Sequence, residues 1–270
     1  MFFGPFWIVL RECPPRAAPQ DDMAPPPLKV VAFLGSARSA KPFWGGLPER
    51  TGDRVLKFTK ARLDALAAGG GCECAVTVMD PLELPSIMNM SSLDGNPSYY
   101  ATRDNSTLPE DVQKLIAAVE GADAFLIVSP ECEPAAPCLP LRLPPPRTRI
   151  AHPPPSLHGR YNHTIPPALT AMMNMVGCSK YANKVSGCVC YSGFPSPAGG
   201  ARCAVALRPF LSELGCLPVS KQVIVPNAPA QLDAEGTPQG EHAESLVKMM
   251  DGMLEQVRWW AEAARAQRAK

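Results

Sequence analysis

The sequence predicts an α/β protein built around a parallel sheet of five strands. Short apolar segments rich in β-branched residues alternate along the chain with longer segments whose apolar residues recur at helical spacing. The predicted strands are Lys29–Leu34, Cys74–Met79, Ala124–Ser129, Val185–Tyr191 and Pro218–Val225. Because strand–helix–strand units place successive strands parallel to one another, helices are expected on both faces of the sheet.

Helical spacing indicates five longer helices between and after these strands. They are Thr51–Ala68, Pro109–Glu120, Pro167–Val176, Gly200–Leu214 and Glu241–Ala266. Thr51 or Asp53 is available as the N-terminal cap of the first helix. The buried face of the last helix is predicted from the stripe Leu246, Met250, Met253, Val257 and Trp260. Ligands of open parallel sheets bind at the carboxyl ends of the strands, so the residues after each strand are the candidates for function.

Composition and charge exclude several classes of protein. The formal net charge is +1 and no run is rich in lysine or arginine, so no nucleic-acid partner is predicted. No stretch approaches the ~20 apolar residues that a membrane span requires. The C-x-C pairs Cys72/Cys74 and Cys188/Cys190 could hold a metal, but we favour small apolar side chains in buried strands. Reduced thiols of this kind predict a cytoplasmic protein without a metal site.

Proline is concentrated in two segments outside the predicted strands and helices. The chain has 32 prolines in 270 residues, about twice the ordinary usage. Many of them lie before position 28 or within Pro134–Pro155. We therefore predict a disordered proline-rich leader over residues 1–27, in which Met23 is an alternative translation start. Residues 28–270 are predicted to form a single domain.

Three loops after predicted strands contain polar and glycine-rich motifs. The first strand is followed by Gly35-Ser36-Ala37-Arg38, in which a tight turn, a hydroxyl and a guanidinium can bind a phosphate. The third strand is followed by Ser129-Pro130-Glu131 and, further along, by Tyr161-Asn162-His163-Thr164-Ile165-Pro166. The fourth strand is followed by Tyr191-Ser192-Gly193 and then by Pro197-Ala198-Gly199-Gly200-Ala201-Arg202.

In this ordered set of motifs the chain resembles the NADPH-dependent FMN reductase family of flavodoxin-like proteins. The family pattern is G-S-x-R after the first strand, [ST]-P-E-Y-N-x-[ST]-I-P after the third, and a glycine loop similar to S-x-G-x-x-G-G-x-R-A after the fourth. The resemblance covers roughly Lys29–Pro226. It implies a three-layer flavodoxin-like fold with strand order 2-1-3-4-5 and a bound FMN that a nicotinamide cofactor reduces.

The resemblance also implies which residues would bind the flavin. Ser36 and Arg38 would hold the FMN phosphate. The isoalloxazine edge would be lined by Pro130, Glu131, Tyr161 and Asn162, and its other side would be cupped by Ser192, Gly193, Gly199 and Gly200. No catalytic acid or base is predicted, because hydride transfer depends on the stacking of the two rings. His163 is accordingly interpreted as a polar residue at a helix entry.

A foreign-looking segment interrupts the motif after the third strand. Deleting Cys132–Arg160 restores an uninterrupted SPEYNHTIP, and the segment has no apolar periodicity from which to build a core. We predict that residues 132–160 are an irregular exposed insert and interpret them as a translated intron. Glu131-Cys132 can be encoded GAG-TGC, which contains a GT donor, and Gly159-Arg160 can be encoded GGC-AGG, which contains an AG acceptor. A genuine surface loop is the alternative hypothesis.

The sequence thus predicts an NAD(P)H-dependent, FMN-containing reductase that transfers hydride through FMN to a small acceptor such as a quinone or a flavin. The residues identify neither the acceptor nor a preference for NADPH, and NADH is not excluded. A non-catalytic flavodoxin-like module that binds a partner or senses redox state is the alternative. Met172-Met173 and Trp259-Trp260 could supply apolar area for a homodimer or homotetramer, or could equally belong to the core.

Overall fold

A computed structural model of the chain describes residues 26–37, 50–70, 72–88, 105–131, 164–195 and 198–270. In these ranges the strands are β1 (Leu28–Leu34), β2 (Cys74–Met79), β3 (Ala124–Pro130), β4 (Val185–Tyr191), β5 (Leu217–Pro218) and β6 (Val223–Val225). The helices are α1 (Thr51–Ala68), α2 (Pro85–Met88), α3 (Glu110–Gly121), α4 (Pro167–Asn174), α5 (Cys178–Tyr181), α6 (Ala201–Glu213), α7 (Ala228–Gln231) and α8 (Ala243–Arg268). Single 3-10 turns occupy Pro81–Glu83 and Asn105–Thr107. The predicted leader lies almost wholly, and the predicted insert wholly, outside the described residues.

The sheet is parallel and has the order β2-β1-β3-β4-β5, with β6 also paired to β4. This is the predicted order 2-1-3-4-5, which confirms the flavodoxin-like α/β fold. The strand that bears the first motif, β1, lies between β2 and β3 and so occupies the interior of the sheet. The carboxyl ends of β1, β3 and β4 are therefore neighbours at one edge.

The prediction of one continuous fifth strand over Pro218–Val225 is wrong. Two short strands replace it, with Leu217 beside Val185 at one end of β4 and Val225 beside Tyr191 at the other. Residues 219–222, between these two strands, belong to neither of them. The Ser220 hydroxyl and the Lys221 N–H donate instead to the Gln256 side chain of α8, at 3.1 and 3.0 Å. The interruption thus depends on a partner in the last helix.

Each face of the sheet buries its own apolar core, as the alternation of side chains along a strand requires. Val31 and Phe33 of β1 contribute to the core beneath α3, α4 and α6. Val30, Ala32 and Leu34 contribute to the core beneath α1 and α8. All seven residues of β3 and of β4 are buried, as expected for central strands that are covered on both sides.

The first helix has the predicted bounds, Thr51–Ala68, but the structure corrects its predicted cap. The position before α1 is Arg50, which makes no side-chain capping bond, so neither Thr51 nor Asp53 is the cap. The Asp53 carboxylate lies in the first turn and accepts a bond of 2.9 Å from Nε of Arg50. The partner of the Asp53 carboxylate is therefore the arginine side chain, whereas a capping carboxylate would accept a bond from a backbone N–H of the helix.

The structure corrects one apolar assignment and decides between two alternatives for another. Trp260 is 49% exposed, whereas Ala261 is fully buried, because the buried stripe of α8 continues four residues after Val257 and not three. Met172 and Met173 are fully buried in the core of α4 and supply no surface for association. The homodimer or homotetramer stays a prediction, and its remaining support is the exposed Trp259–Trp260 pair, whose rings meet edge to face.

The described cysteines of the two C-x-C pairs differ in burial. Cys188 and Cys190 are buried in β4, as predicted, but Cys72 and Cys74 are only half-buried because β2 is an edge strand. The described cysteines form no disulfide with one another, and no described group of three or more His, Cys, Asp or Glu side chains has the arrangement of a metal site. Among the described helices, none combines the length and the apolar character that a membrane crossing demands.

Candidate functional site

The sheet brings parts of all three motifs to one edge. The described residues that follow the neighbouring strands are Gly35 and Ser36 after β1, Glu131 after β3, and Ser192 and Gly193 after β4. Backbone bonds join these loops, since the Gly35 N–H donates to the Val128 carbonyl at 2.9 Å and the Glu131 N–H donates to the Tyr191 carbonyl at 2.7 Å. The edge is the place where ligands bind in this class of sheet.

Ser36 lies in the turn after β1, and Arg50 holds its backbone. The Ser36 residue is 3% exposed, and its carbonyl accepts a bond of 3.0 Å from Nη1 of Arg50. The same guanidinium bonds the carboxylates of Asp53 and Asp80, with Nη1 at 2.9 Å from Oδ1 of Asp80. Burial alone would lower the pKa of Arg50, but its bonds to the two carboxylates and their charges raise that pKa above its usual range. The guanidinium is permanently charged.

Arg50 was missed by the sequence reasoning. A local signal existed, because an arginine immediately before a helix with an aspartate three residues later is typical of a first-turn ion pair. The other partners were not visible, since Ser36 lies across the loop that follows β1 and Asp80 lies at the end of β2. The structure brings these two partners to the arginine only because β1 and β2 are neighbours.

The Glu131 carboxylate is directed at the N-terminus of α6. The residue is 2% exposed, and its Oε2 accepts bonds from the backbone N–H groups of Arg202 at 2.9 Å and Cys203 at 3.4 Å. Nε of Arg202 donates to the other carboxylate oxygen. Glu131 therefore caps the positive end of a 13-residue helix, where a carboxylate is stabilising. This contact connects the end of β3 with the glycine loop before α6.

The two consecutive glycines before α6 are required by close packing. Gly200 has φ +111, and a Cβ atom there would lie 2.7 Å from the carbonyl carbon of Cys190. Gly199 has φ +53, and its Cβ would lie 2.5 Å from Cβ of Pro226. The glycine loop thus packs directly on Cys190 of β4 and on Pro226, which follows β6.

Gly193, by contrast, is not crowded by the described residues. A Cβ atom there would meet nothing closer than the Thr51 hydroxyl, at 3.7 Å, and its φ is not positive. The hydroxyl of the preceding Ser192 donates to the Phe194 carbonyl at 2.7 Å and accepts from the Phe194 N–H at 3.2 Å, which fixes the turn. Among the described residues, none would clash with a methyl group at Gly193.

Alanine substitutions are expected to separate the roles of these glycines. Gly200→Ala should lower the free energy of unfolding by about 3 kcal/mol, because a left-handed backbone and a contact with Cys190 oppose the methyl group. Gly193→Ala should change it by less than about 0.5 kcal/mol but weaken the binding of a flavin at this edge by about tenfold. Thermal unfolding and FMN titration measure both; a Gly193→Ala protein with unchanged affinity would place the ligand elsewhere.

A buried thiol lies behind the glutamate. Sγ of Cys203 is 3.1 Å from Oγ of Ser129, and both residues are fully buried. A hydrogen bond with Cys190 lowers the pKa of the Cys203 thiol, burial opposes this, and the bond with Ser129 adds to the lowering. The same bond and burial raise the pKa of Cys190. The sequence placed Cys190 in a strand and Cys203 in a helix but did not predict their contact, because that contact depends on the packing of α6 on the sheet.

Three predicted site residues lie outside the described residues: Arg38, Tyr161 and Asn162. The structure brings together the other seven at or beside the edge, namely Ser36, Pro130, Glu131, Ser192, Gly193, Gly199 and Gly200. Their roles toward a flavin stay predictions. His163, which was interpreted as a helix-entry residue, also lies outside the described ranges.

The fold defines a flavodoxin-like α/β protein, a class in which ligands bind at the carboxyl ends of the central strands. The model of the NADPH-dependent FMN reductase family matches residues 28–137 and 160–230, which is more than half of the chain. The chain therefore belongs to that family and with it to the FMN-dependent NAD(P)H oxidoreductases. The residues between the two matched ranges, 138–159, fall inside the predicted insert. A search of curated proteins finds none that matches the chain.

Solved structures of oxidoreductases share the fold. An oxidoreductase from Corynebacterium diphtheriae has 13% identity and a TM-score of 0.56, over 87% of this chain and 98% of that one. The flavoenzyme FerB, an NAD(P)H:(acceptor) oxidoreductase from Paracoccus denitrificans, has 17% identity and a TM-score of 0.51, over 88% and 98%. The apo form of EmoB, an NADH:FMN oxidoreductase, has 13% identity and a TM-score of 0.52, over 85% and 90%. At these identities the likeness shows the fold alone.

Proposed function

We propose that the protein is an NAD(P)H-dependent reductase that holds FMN at the carboxyl edge of its sheet and delivers electrons to a small acceptor, a quinone or a flavin. The supporting observation is the convergence of the three motif loops there, with Ser36, Glu131 and Ser192 buried and Gly193 not crowded by the described residues.

The residues at the edge fit FMN. The turn at Ser36 offers a hydroxyl, and the N-terminus of the 18-residue helix α1 begins beside it, where a phosphate is favoured by the helix dipole. No described residue crowds Gly193, and in the proposal the ring lies over it. In the proposal Arg38 adds a guanidinium to the phosphate, while Pro130, Tyr161 and Asn162 line the ring and the loop through Gly199 and Gly200 closes its other side.

The division of labour follows from this arrangement. Bound FMN would supply the redox chemistry, accepting hydride from a nicotinamide and passing electrons to an acceptor. The chain supplies binding and orientation: Ser36 and the start of α1 fix the phosphate end, and the loop at Ser192 and Gly193 fixes the ring end. We propose NADPH as the donor because the matching family is NADPH-dependent. The acceptor is proposed from the chemistry of such enzymes, and the cytoplasmic location stays a prediction from the sequence.

Spectroscopy of the purified full chain tests the proposal. We expect FMN to bind, its absorbance to bleach on anaerobic addition of NADPH, and the colour to return on addition of a quinone or free flavin. NADH and NADPH in parallel establish the donor. Bound FMN that neither nicotinamide bleaches would instead support the non-catalytic module. A chain that binds no flavin would contradict both interpretations.

A further inference from the structure

One buried arginine joins three elements beside the first motif. The Arg50 side chain is 6% exposed and contacts the Ser36 carbonyl after β1, Asp80 after β2 and Asp53 in α1. It thereby joins the turn after β1 to the start of α1. We propose that Arg50 is a positioning residue for the phosphate of FMN, acting through the Ser36 turn and through neutralisation of Asp53 and Asp80. The inference rests on the proposed function.

The geometry of the Arg50 side chain supports this positioning role. A guanidinium is a planar fork with several fixed donors, so a single arginine can hold a carbonyl and two carboxylates at once. Arg50 directly precedes Thr51 and Gly52, and a Cβ atom at Gly52 would lie 2.7 Å from the Tyr191 hydroxyl. The start of α1 is therefore packed closely on the end of β4. Arg50 sets the distance between this helix start and the Ser36 turn, which are the two phosphate-binding features of the proposed site.

The charge of Arg50 supports the same role. Asp53 and Asp80 lie at the same edge as Ser36, and Asp80 is 13% exposed at its side chain. Uncompensated carboxylates repel a phosphate dianion, most strongly where solvent screening is weak. Arg50 bonds both of them and remains charged at all ordinary pH values. The proposed phosphate site therefore depends on a residue that need not touch the phosphate.

Comparison of FMN with riboflavin isolates this role, because the two differ only in the phosphate. In Arg50→Met we expect FMN affinity to fall by at least about tenfold and riboflavin affinity by less than about threefold. Arg50→Lys keeps the charge without the fork and should lose part of the preference for FMN. The matched control is Arg54→Met, one turn further along α1, where a buried guanidinium donates to the Leu232 carbonyl at 3.2 Å. Its FMN-to-riboflavin ratio should equal that of the wild type.

The titrations use flavin fluorescence, in the full chain and in the chain lacking Cys132–Arg160, with circular dichroism to establish folding. An unchanged ratio in Arg50→Met, in a chain that binds FMN, would overturn this inference and leave the proposed function intact. If Arg50→Met does not fold, Arg50→Lys decides, and an unchanged ratio there has the same meaning. If neither the full chain nor the deleted chain binds FMN when Arg50 is unchanged, the proposed function fails and the inference fails with it.

Discussion

Glu131→Ala is expected to lower the free energy of unfolding by about 3 kcal/mol, since it removes charge-assisted bonds and a helix cap together. The carboxylate is buried and accepts bonds from the N–H groups of Arg202 and Cys203. Without it, these donors at the start of α6 lose a partner that buried water cannot readily replace. The glycine loop before α6 should then move, and FMN affinity should fall by at least about tenfold.

Denaturant unfolding followed by circular dichroism measures the first effect, and FMN titration measures the second. Glu131→Gln retains an acceptor without the charge and should lie between the wild type and the alanine variant. Glu213→Ala, at the exposed far end of the same helix, is the control and should change stability by less than about 0.5 kcal/mol. Equal stability of Glu131→Ala and Glu213→Ala would show that the cap contributes nothing.

The elements that the sequence predicted well are those whose signal is local. The bounds of β2 and β4 agree residue for residue with the prediction, because each is an apolar segment bounded by polar or turn residues. The fifth strand failed for the opposite reason: the position at which it leaves the ladder depends on Gln256, far along the chain. The phase of α8 at Trp260 failed because three- and four-residue steps both fit a helical stripe until packing selects one.

The candidate site shows the same division. That the motifs meet at one edge could be predicted, since strands that are parallel and adjacent end together. The directions of the side chains could not. The Glu131 carboxylate turns toward Arg202, on another element, and Arg50 finds Asp80 only through the pairing of β1 with β2. Contacts of this kind are set by tertiary packing, of which a single sequence holds no local trace.

Deletion of Cys132–Arg160 is expected to tighten FMN binding by at least about tenfold, a difference of about 1.4 kcal/mol. In the deleted chain Tyr161 and Asn162 directly follow Glu131, whose carboxylate is anchored on α6. The three residues then share one short loop at the proposed ring edge. Closing a longer loop costs little free energy, growing slowly with length, so the full chain should keep its fold. The ligand site is more sensitive, because binding geometry tolerates displacements of only about 0.5 Å.

The interruption of the family match between residues 137 and 160 supports this expectation, since the matched ranges continue on both sides of the segment. FMN titration of both chains measures the effect. A chain that begins at Met23 is the control, because it lacks only residues of the predicted leader and should keep its FMN affinity. Sequencing of the transcript tests the origin: a mature message without these codons would establish the intron. Equal FMN affinity of the full and the deleted chain would instead show that residues 132–160 are a tolerated surface loop.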